Sequence, residues 1–115
     1  MRESILKNKS YSFAIRIVKL SQHLVTEHRE LVLSRQVLKS GTAIGALIRE
    51  AEFGQSRADF RNKMSIALKV ANETDYWLSL LHDTDYLNEH LFSSLSRDCV
   101  ELIKMLVATV KTTQS

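Results

Sequence analysis

The sequence predicts an all-α protein: an antiparallel up-down-up-down four-helix bundle that occupies residues 1–115 as a single domain. Three observations support this prediction. The chain has no proline and only three glycines, so the tight turns that join β-strands are scarce. Apolar residues recur at spacings of three and four, which is the period of one helix face. Four such segments of similar length are joined by short polar stretches, which favours antiparallel neighbours.

The first two helices are predicted at residues 10–27 and 32–54. Ser10 is a candidate N-cap for the first helix. The buried face of that helix is predicted to contain Phe13, Ile17, Leu20 and Leu24. The polar run TEHRE ends this pattern, and the second helix restores it with Leu33, Val37, Gly41 or Ser40, Ile44, Ile48 and Ala51.

The third and fourth helices are predicted at residues 57–82 and 88–112. Gly54 is expected to end the second helix in the left-handed conformation, and Ser56 with Asp59 has the spacing of a capping box. The buried face of the third helix is predicted to contain Phe60, Met64, Ala67, Leu68, Ala71, Leu78 and Leu81. The run HDTDYLN is the last connection, and the face of the fourth helix is predicted to contain Leu91, Leu95, Cys99, Leu102, Leu106 and Val110.

The segment SGTAIGALIREA, residues 40–51, places two glycines inside a predicted helix. Each interior glycine costs about 1 kcal/mol relative to alanine. A close approach to another helix, a ligand against bare backbone or a break in the helix could offset that cost. We favour a close approach to the third helix, where Ala67 and Ala71 are also small. The run GTAIG lacks the strand and the Gly-Lys pair of a phosphate-binding loop.

Composition indicates an ordinary globular chain with 44% hydrophobic and 25% charged residues. No apolar run approaches the roughly 20 residues of a membrane span, and the first residues do not resemble a signal peptide. We therefore expect a cytoplasmic protein without a membrane partner. Cys99 is the only cysteine, and its place on an apolar helix face predicts a small buried side chain rather than a nucleophile or ligand.

Charge is distributed unevenly along the chain. Residues 1–63 contain 12 Lys or Arg and 6 Asp or Glu, whereas residues 64–115 contain 4 and 7. A basic half indicates either contact with phosphate or an acidic partner, or simply a solvated charged surface. The candidate phosphate contacts are Arg16, Lys19, Arg35, Lys39, Arg49, Arg57, Arg61 and Lys63, to which Arg2, Lys7 and Lys9 can be added.

Motifs for catalysis or metal binding are not found in the sequence. The four histidines form no H-E-x-x-H or Cys/His pattern, and there is no nucleophile elbow or paired-carboxylate context. We therefore expect no metal site, no cofactor and no enzymatic activity. His82 and Asp83, with Asp85 after them, are the one place where a minor catalytic role stays open.

A possible interaction ridge lies on the third helix. It consists of Lys69, Glu73, Tyr76 and Trp77, which follow one another at helical spacing. Tyr and Trp are common anchors at interfaces and can stack on an unpaired base. The alternative is an intrahelical ion pair beside ordinary aromatic packing.

The fourth helix is more apolar than one buried face requires. The residues that widen its stripe include Phe92, Val100, Ile103 and Val107. We expect them to form an oligomer interface, because a lone bundle would expose them. The alternative is that a loop or the N-terminal arm covers this surface.

With these residues placed, the chain resembles the four-helix-bundle proteins named for intervening sequences of bacterial 23S ribosomal RNA. The family motif runs approximately Q-x-x-x-S-x-x-S-I-x-x-N-x-x-E-A, then S-x-x-D-F, A-L-K-E and E-T-x-Y-W-L. The matching residues are Gln36, Ser40, Ile44, Glu50, Ala51, Ser56, Asp59, Phe60, Ala67, Leu68, Lys69, Glu73, Thr74, Tyr76, Trp77 and Leu78. The chain departs from the motif at Ala43, Leu47 and Val70, where the family has serine, asparagine and glutamate.

The resemblance extends over residues 10 to about 110 and is most specific at 36–81. It implies a bundle that assembles as a ring, a homopentamer, with RNA or another nucleic acid as the partner. It also implies an alternative, in which the chain is a protein-interaction scaffold or an accessory subunit, such as that of a diversity-generating reverse transcriptase. Under that alternative the chain has no direct role in nucleic-acid binding.

Overall fold

Four α-helices and no strands make up residues 2–113, the part of the chain that the computed structural model describes, with side chains from Ile5 onward. The helices are α1 (Arg2–His28), α2 (Val32–Glu52), α3 (Arg57–Asp83) and α4 (Glu89–Thr112). Within the described residues no helix is long and apolar enough to span a membrane. The prediction of an all-helical, four-helix protein is confirmed.

Helix α1 begins at Arg2, eight residues before the predicted start at residue 10. Ser10 is not an N-cap: it is fully buried inside the helix, where its Oγ donates a hydrogen bond to the Lys7 carbonyl at 3.0 Å. Leu6 is also fully buried and extends the apolar face by seven residues before Phe13. The segment between them contains no helix-breaking residue, so the helix continues through it.

The capping box at the start of α3 is confirmed. Ser56 Oγ accepts a hydrogen bond from the Asp59 N–H at 3.0 Å. The Asp59 carboxylate accepts from the Gln55 N–H at 3.2 Å, one residue before the position of the usual reciprocal bond. The two other described helix starts are capped by Glu30, whose Oε1 accepts from Leu33 N–H at 2.6 Å, and by Asn88.

The prediction of a left-handed Gly54 is wrong, because no glycine in the described chain has a positive φ. Crowding is the reason for a glycine here. A Cβ at this position would lie 3.1 Å from Asp59 Oδ2 and 3.1 Å from the Ala51 carbonyl oxygen. The residues in the left-handed region are Arg29 and Asp85, with φ of 53° and 70°, in the connections after α1 and α3.

One hydrophobic core runs between the four helices. Its largest fully buried side chains are Leu6, Phe13, Ile17, Leu24, Ile44, Ile48, Met64, Leu78, Leu81, Leu95, Leu102 and Leu106. Cys99 is buried within it, as predicted, and its Sγ donates to the Ala71 carbonyl at 3.3 Å. Burial raises the pKa of the Cys99 thiol to about 12, so the thiolate required of a nucleophile does not form near neutral pH.

Buried hydroxyl groups connect neighbouring helices. Ser21 of α1 lies 2.7 Å from Ser34 of α2, oxygen to oxygen. Thr74 of α3 donates to Ser40 of α2 at 2.9 Å. Because a buried hydroxyl without a partner costs free energy, these pairs fix the register of α2 against both of its neighbours.

The two interior glycines of α2 are sites of close approach, as predicted, but the neighbouring helix is α1 rather than α3. A Cβ at Gly41 would lie 2.8 Å from two side-chain carbons of Ile17, and one at Gly45 would lie 3.3 Å from Ser10 Oγ. Ser40 bonds to Thr74 of α3. The next residue, Gly41, lies about 100° further round the helix and therefore faces α1.

The Gly41 contact predicts that Gly41→Ala destabilises the fold. Alanine gains about 1 kcal/mol of helix propensity. The added methyl group would overlap the branched Cβ region of Ile17, and overpacking of this kind costs about 1–3 kcal/mol. We expect a net loss of about 1 kcal/mol in the free energy of unfolding, measured by urea denaturation at fixed protein concentration.

The matched background for this test is Ile17→Ala, which removes the atoms that the new methyl group meets. In that background Gly41→Ala should no longer destabilise the fold, so the two changes are coupled. A Gly41→Ala variant that is more stable than the parent chain would contradict the contact.

Candidate nucleic-acid interface

The eight predicted phosphate contacts lie on three parts of the surface. Arg16 and Lys19 are on α1 beside α4, and Arg57, Arg61 and Lys63 are in the first two turns of α3. The remaining three, Arg35, Lys39 and Arg49, are on α2. The structure therefore does not bring the eight together as one patch. Arg2 lies outside the described side chains.

Three of the eight cations are engaged by the bundle itself. Arg16 donates to Asp98 at 2.7 Å and to Ser94 at 3.0 Å, which ties α1 to α4. Lys63 lies 3.2 Å from Glu50 of α2. Arg57 donates to the Thr112 carbonyl at 3.3 Å, at the negative end of α4. These residues already have acceptors, which makes them weaker candidates for phosphate contact.

The three α2 cations lie on a single strip of the helix. One face of α2 contains, in order, Arg35, Lys39, Thr42, Ala46 and Arg49, which follow one another at spacings of three and four residues. All three side chains are exposed, and none makes an ion pair with a described side chain. At roughly 1.5 Å per residue the strip is about 21 Å long.

Helix α1 supplies the opposite wall of a cleft along the half of this strip at residues 42–49. Lys7 and Tyr11 face Gly45, Ala46 and Arg49 across a cleft of about 300 Å³. We call this surface the α1/α2 groove and define it by Lys7, Tyr11, Arg35, Lys39 and Arg49. Lys7 Nζ lies 3.5 Å from Glu52, an exposed and weak pairing.

Tyr11 was not predicted as a functional residue, although it is 60% exposed in the groove. The sequence contains a signal for it. Tyr11, Ile15, Val18 and Val25 form a second apolar stripe on α1, beside the stripe of core residues. All four are exposed, so α1 presents an apolar outer face as well as a buried one.

The interaction ridge on α3 has exposed and half-buried members. Lys69, Glu73 and Tyr76 are exposed, and no ion pair joins Lys69 to Glu73 in the described chain. Trp77 is half-buried against the core, with its ring 5.0 Å from that of Tyr76 in an edge-to-face arrangement. Its Nε1 is buried without a hydrogen-bond partner among the described residues.

The predicted oligomer interface on α4 is half-buried throughout: Phe92, Val100, Ile103 and Val107. Phe92 stacks on the ring of His82 at 4.2 Å, and Ile103 packs against the core. The large apolar residues with the greatest exposure lie elsewhere, at Phe53, Val32, Tyr11, Tyr76 and Leu31.

A family model described as 23S rRNA-intervening sequence protein matches residues 2–108. The chain belongs to this family. No functionally curated protein matches it. A crystal structure from Bacteroides thetaiotaomicron VPI-5482, described as a protein with unknown function from the S23 ribosomal protein family, is 52% identical to this chain. The similarity extends over 96% of this chain and 99% of that one, with a TM-score of 0.95.

In this member of the 23S rRNA-intervening sequence protein family, the three departures from the motif lie on α2 and α3. Ala43, Leu47 and Val70 are all half-buried, and Leu47 and Val70 pack against the core. Their apolar side chains suit contact between two helices. The polar groups that the motif has at these positions are absent from this surface.

His82 and Asp83 do meet, as the sequence suggested, but a third residue joins them. His82 Nδ1 lies 2.9 Å from Asp83 Oδ1, and Nε2 lies 2.6 Å from Glu89 Oε2 at the start of α4. Asp85 contacts His82 only through its backbone N–H. With a carboxylate at each ring nitrogen, the imidazole connects α3 to α4.

The His82 contacts predict a dependence of stability on pH. Hydrogen bonds to Asp83 and then to Glu89 raise the pKa of His82 above its usual 6.5. The stabilisation is therefore fully present below pH 6.5 and is lost as pH rises through the higher pKa of the folded state. We expect His82→Gln to abolish this decrease in stability with rising pH. The measurement is the difference in melting temperature between mildly acidic and mildly alkaline pH.

His90→Gln is the matched control, because His90 is exposed and makes no ion pair with a described side chain. It should keep the parental difference in melting temperature between the two pH values. If His82→Gln and the parent chain change equally with pH, the connection through His82 does not contribute to stability.

Proposed function

We propose that this chain is a non-enzymatic nucleic-acid-binding protein whose binding surface is the α1/α2 groove. The observation that supports this most is the strip of three exposed α2 cations without carboxylate partners in the described chain. Of the other five predicted cations, Arg16 and Lys63 are engaged by carboxylates and Arg57 by a carbonyl. Lys19 and Arg61 also make no ion pair with a described side chain, but they lie singly on α1 and α3 rather than in a row. A row of cations without such partners is suited to a row of phosphates.

The class of ligand is supported by two further features. Tyr11 places an exposed aromatic ring between cations of the groove, and RNA-binding proteins use such rings to stack on bases. The family description refers to 23S rRNA, which favours RNA over DNA as the ligand.

We propose further that the helices follow an up-down-up-down order and that the chain forms a homo-oligomer, a pentameric ring as the resemblance implies. Lys9 pairs with Glu101, whereas Arg16, later in α1, pairs with Asp98, which is earlier in α4. This order supports antiparallel packing of α1 and α4. Val100 and Val107 remain partly exposed, as subunit contacts require. A light-scattering mass near 13.2 kDa, that of one chain, would overturn the oligomer.

A second candidate function, a protein-interaction scaffold or accessory subunit, is favoured by the interaction ridge. Tyr76 is 59% exposed beside Trp77, whose buried Nε1 has no hydrogen-bond partner in the part of the chain that the structure describes. Aromatic residues of this kind anchor protein interfaces. This candidate predicts that Tyr76→Ala abolishes capture of a partner protein without weakening RNA binding, whereas unchanged capture would exclude the ridge.

The proposed function predicts that removing two groove cations weakens RNA binding and its salt dependence. We expect Arg35→Gln with Lys39→Gln to lower the slope of log affinity against log salt by roughly 1.5, because each phosphate contact contributes about 0.7 to 0.9. The measurement is fluorescence anisotropy with a short RNA hairpin at several salt concentrations.

The matched control is Lys104→Gln with Lys111→Gln, two exposed lysines of α4 that change the net charge equally. This pair should alter the slope little. An equal loss in both double variants would indicate attraction by net charge alone, and binding that is insensitive to salt would contradict phosphate contact.

A further inference from the structure

We propose that the cleft beside Tyr11 holds one unpaired base of a single-stranded nucleic acid, so that the α1/α2 groove prefers single strands to duplexes. This inference rests on the proposed function and adds to it the form of the ligand. It is carried by the shape of the cleft, by the exposure of one aromatic ring and by the placement of cations on both sides of it.

The cleft is open above Tyr11 because the residues around it are small. Ala14 follows Tyr11 on α1, and Thr42, Gly45 and Ala46 line the α2 side. At about 300 Å³ the cleft has the volume of a small ligand site. The long side chains among the lining residues besides Tyr11 are Lys7 and Arg49.

The two helices approach each other closely at Gly45, which lines the cleft. A Cβ at Gly45 would lie 3.3 Å from Ser10 Oγ and 3.4 Å from the Ser10 carbonyl oxygen, so α2 approaches α1 closely beside Tyr11. Tyr11 is 60% exposed. A flat, rigid face with an open space beside it suits an aromatic ligand better than a branched aliphatic one.

Cations lie on both sides of the cleft along the groove. Lys7 is one turn before Tyr11 on α1, and Arg49 is one turn after Gly45 on α2, so both lie at one end of the cleft. Lys39 and Arg35 continue the α2 strip beyond the other end. A strand that follows the groove would place phosphates at both ends and one base over Tyr11.

Base pairing decides which nucleic acid can use this arrangement. In a duplex the faces of a base are covered by its neighbours in the stack, whereas an unpaired base can turn its face onto an aromatic side chain. The cations attract either form, because phosphate is common to both. The tyrosine therefore supplies the preference for single strands, and the cations supply the affinity that the two forms share.

The test compares Tyr11→Leu with Tyr11→Phe, using an unstructured oligouridine and an RNA duplex of equal length as probes. Tyr11→Leu should weaken oligouridine binding by about 5- to 160-fold, the range that loss of one base–aromatic stack gives, and should leave duplex binding unchanged. Tyr11→Phe keeps the ring and should bind both probes as the parent chain does. Tyr76→Leu, which removes an equally exposed tyrosine from α3, should also bind as the parent does.

The outcomes separate this inference from the proposed function. Tyr11→Leu with parental affinity for oligouridine overturns the base site, while salt-dependent binding that responds to Arg35→Gln with Lys39→Gln would keep the groove as the nucleic-acid surface. No salt-dependent binding of either probe overturns both. If uridine monophosphate competes as strongly as oligouridine, the cleft is a site for free nucleotides. That result would overturn the inference that the cleft binds a base of a single-stranded nucleic acid.

Discussion

The close approach of α1 to α2 at Gly41 and Gly45 is the contact on which the proposed surface depends. At Gly41 there is no room for a Cβ beside Ile17, and at Gly45 the two backbones approach at Ser10. The hydroxyl pair of Ser21 and Ser34 fixes the same two helices further along. Beside this close approach, the outer edges of the two helices form a cleft with Lys7 and Tyr11 on the α1 wall and Arg49 on the α2 wall. Lys39 and Arg35 continue the α2 strip beyond it.

The lysines and arginines of this molecule fall into two groups by their contacts. Arg16 and Lys63 connect helices through Asp98 and Glu50, and Arg57 donates to the end of α4. At partly exposed sites such contacts contribute at most about 1 kcal/mol each, so they mainly orient the side chains. Net charge does not distinguish these cations from Arg35, Lys39 and Arg49; what distinguishes them is the presence of an acceptor among the described residues. Lys7, the α1 cation of the groove, has an acceptor in Glu52.

Much of the fold could be predicted from the sequence, because each helix face is marked by apolar residues and the start of α3 by a capping box. The spacing of Phe13, Ile17, Leu20 and Leu24 identified a buried face without any tertiary information. The start of α1 was missed because Ser10, which resembles an N-cap in the sequence, lies inside the helix. The helix that packs against Gly41 and Gly45 was predicted wrongly, because residue spacing shows that a helix face has small side chains but not which neighbouring helix it contacts. The groove could not be predicted from the sequence for two reasons. The sequence does not show that α1 is the helix next to the glycines, and it does not show which cations have carboxylate partners.

Ultraviolet cross-linking of 4-thiouridine RNA, followed by mass spectrometry of the cross-linked peptides, tests the central claim most directly. The two most exposed tyrosines lie on different surfaces, Tyr11 in the α1/α2 groove and Tyr76 on the interaction ridge. The proposed function predicts cross-links concentrated on the peptides of α1 and α2 that contain Tyr11 and the Arg35–Arg49 strip. Cross-links concentrated at Tyr76 and Trp77, with none in the groove, would contradict it.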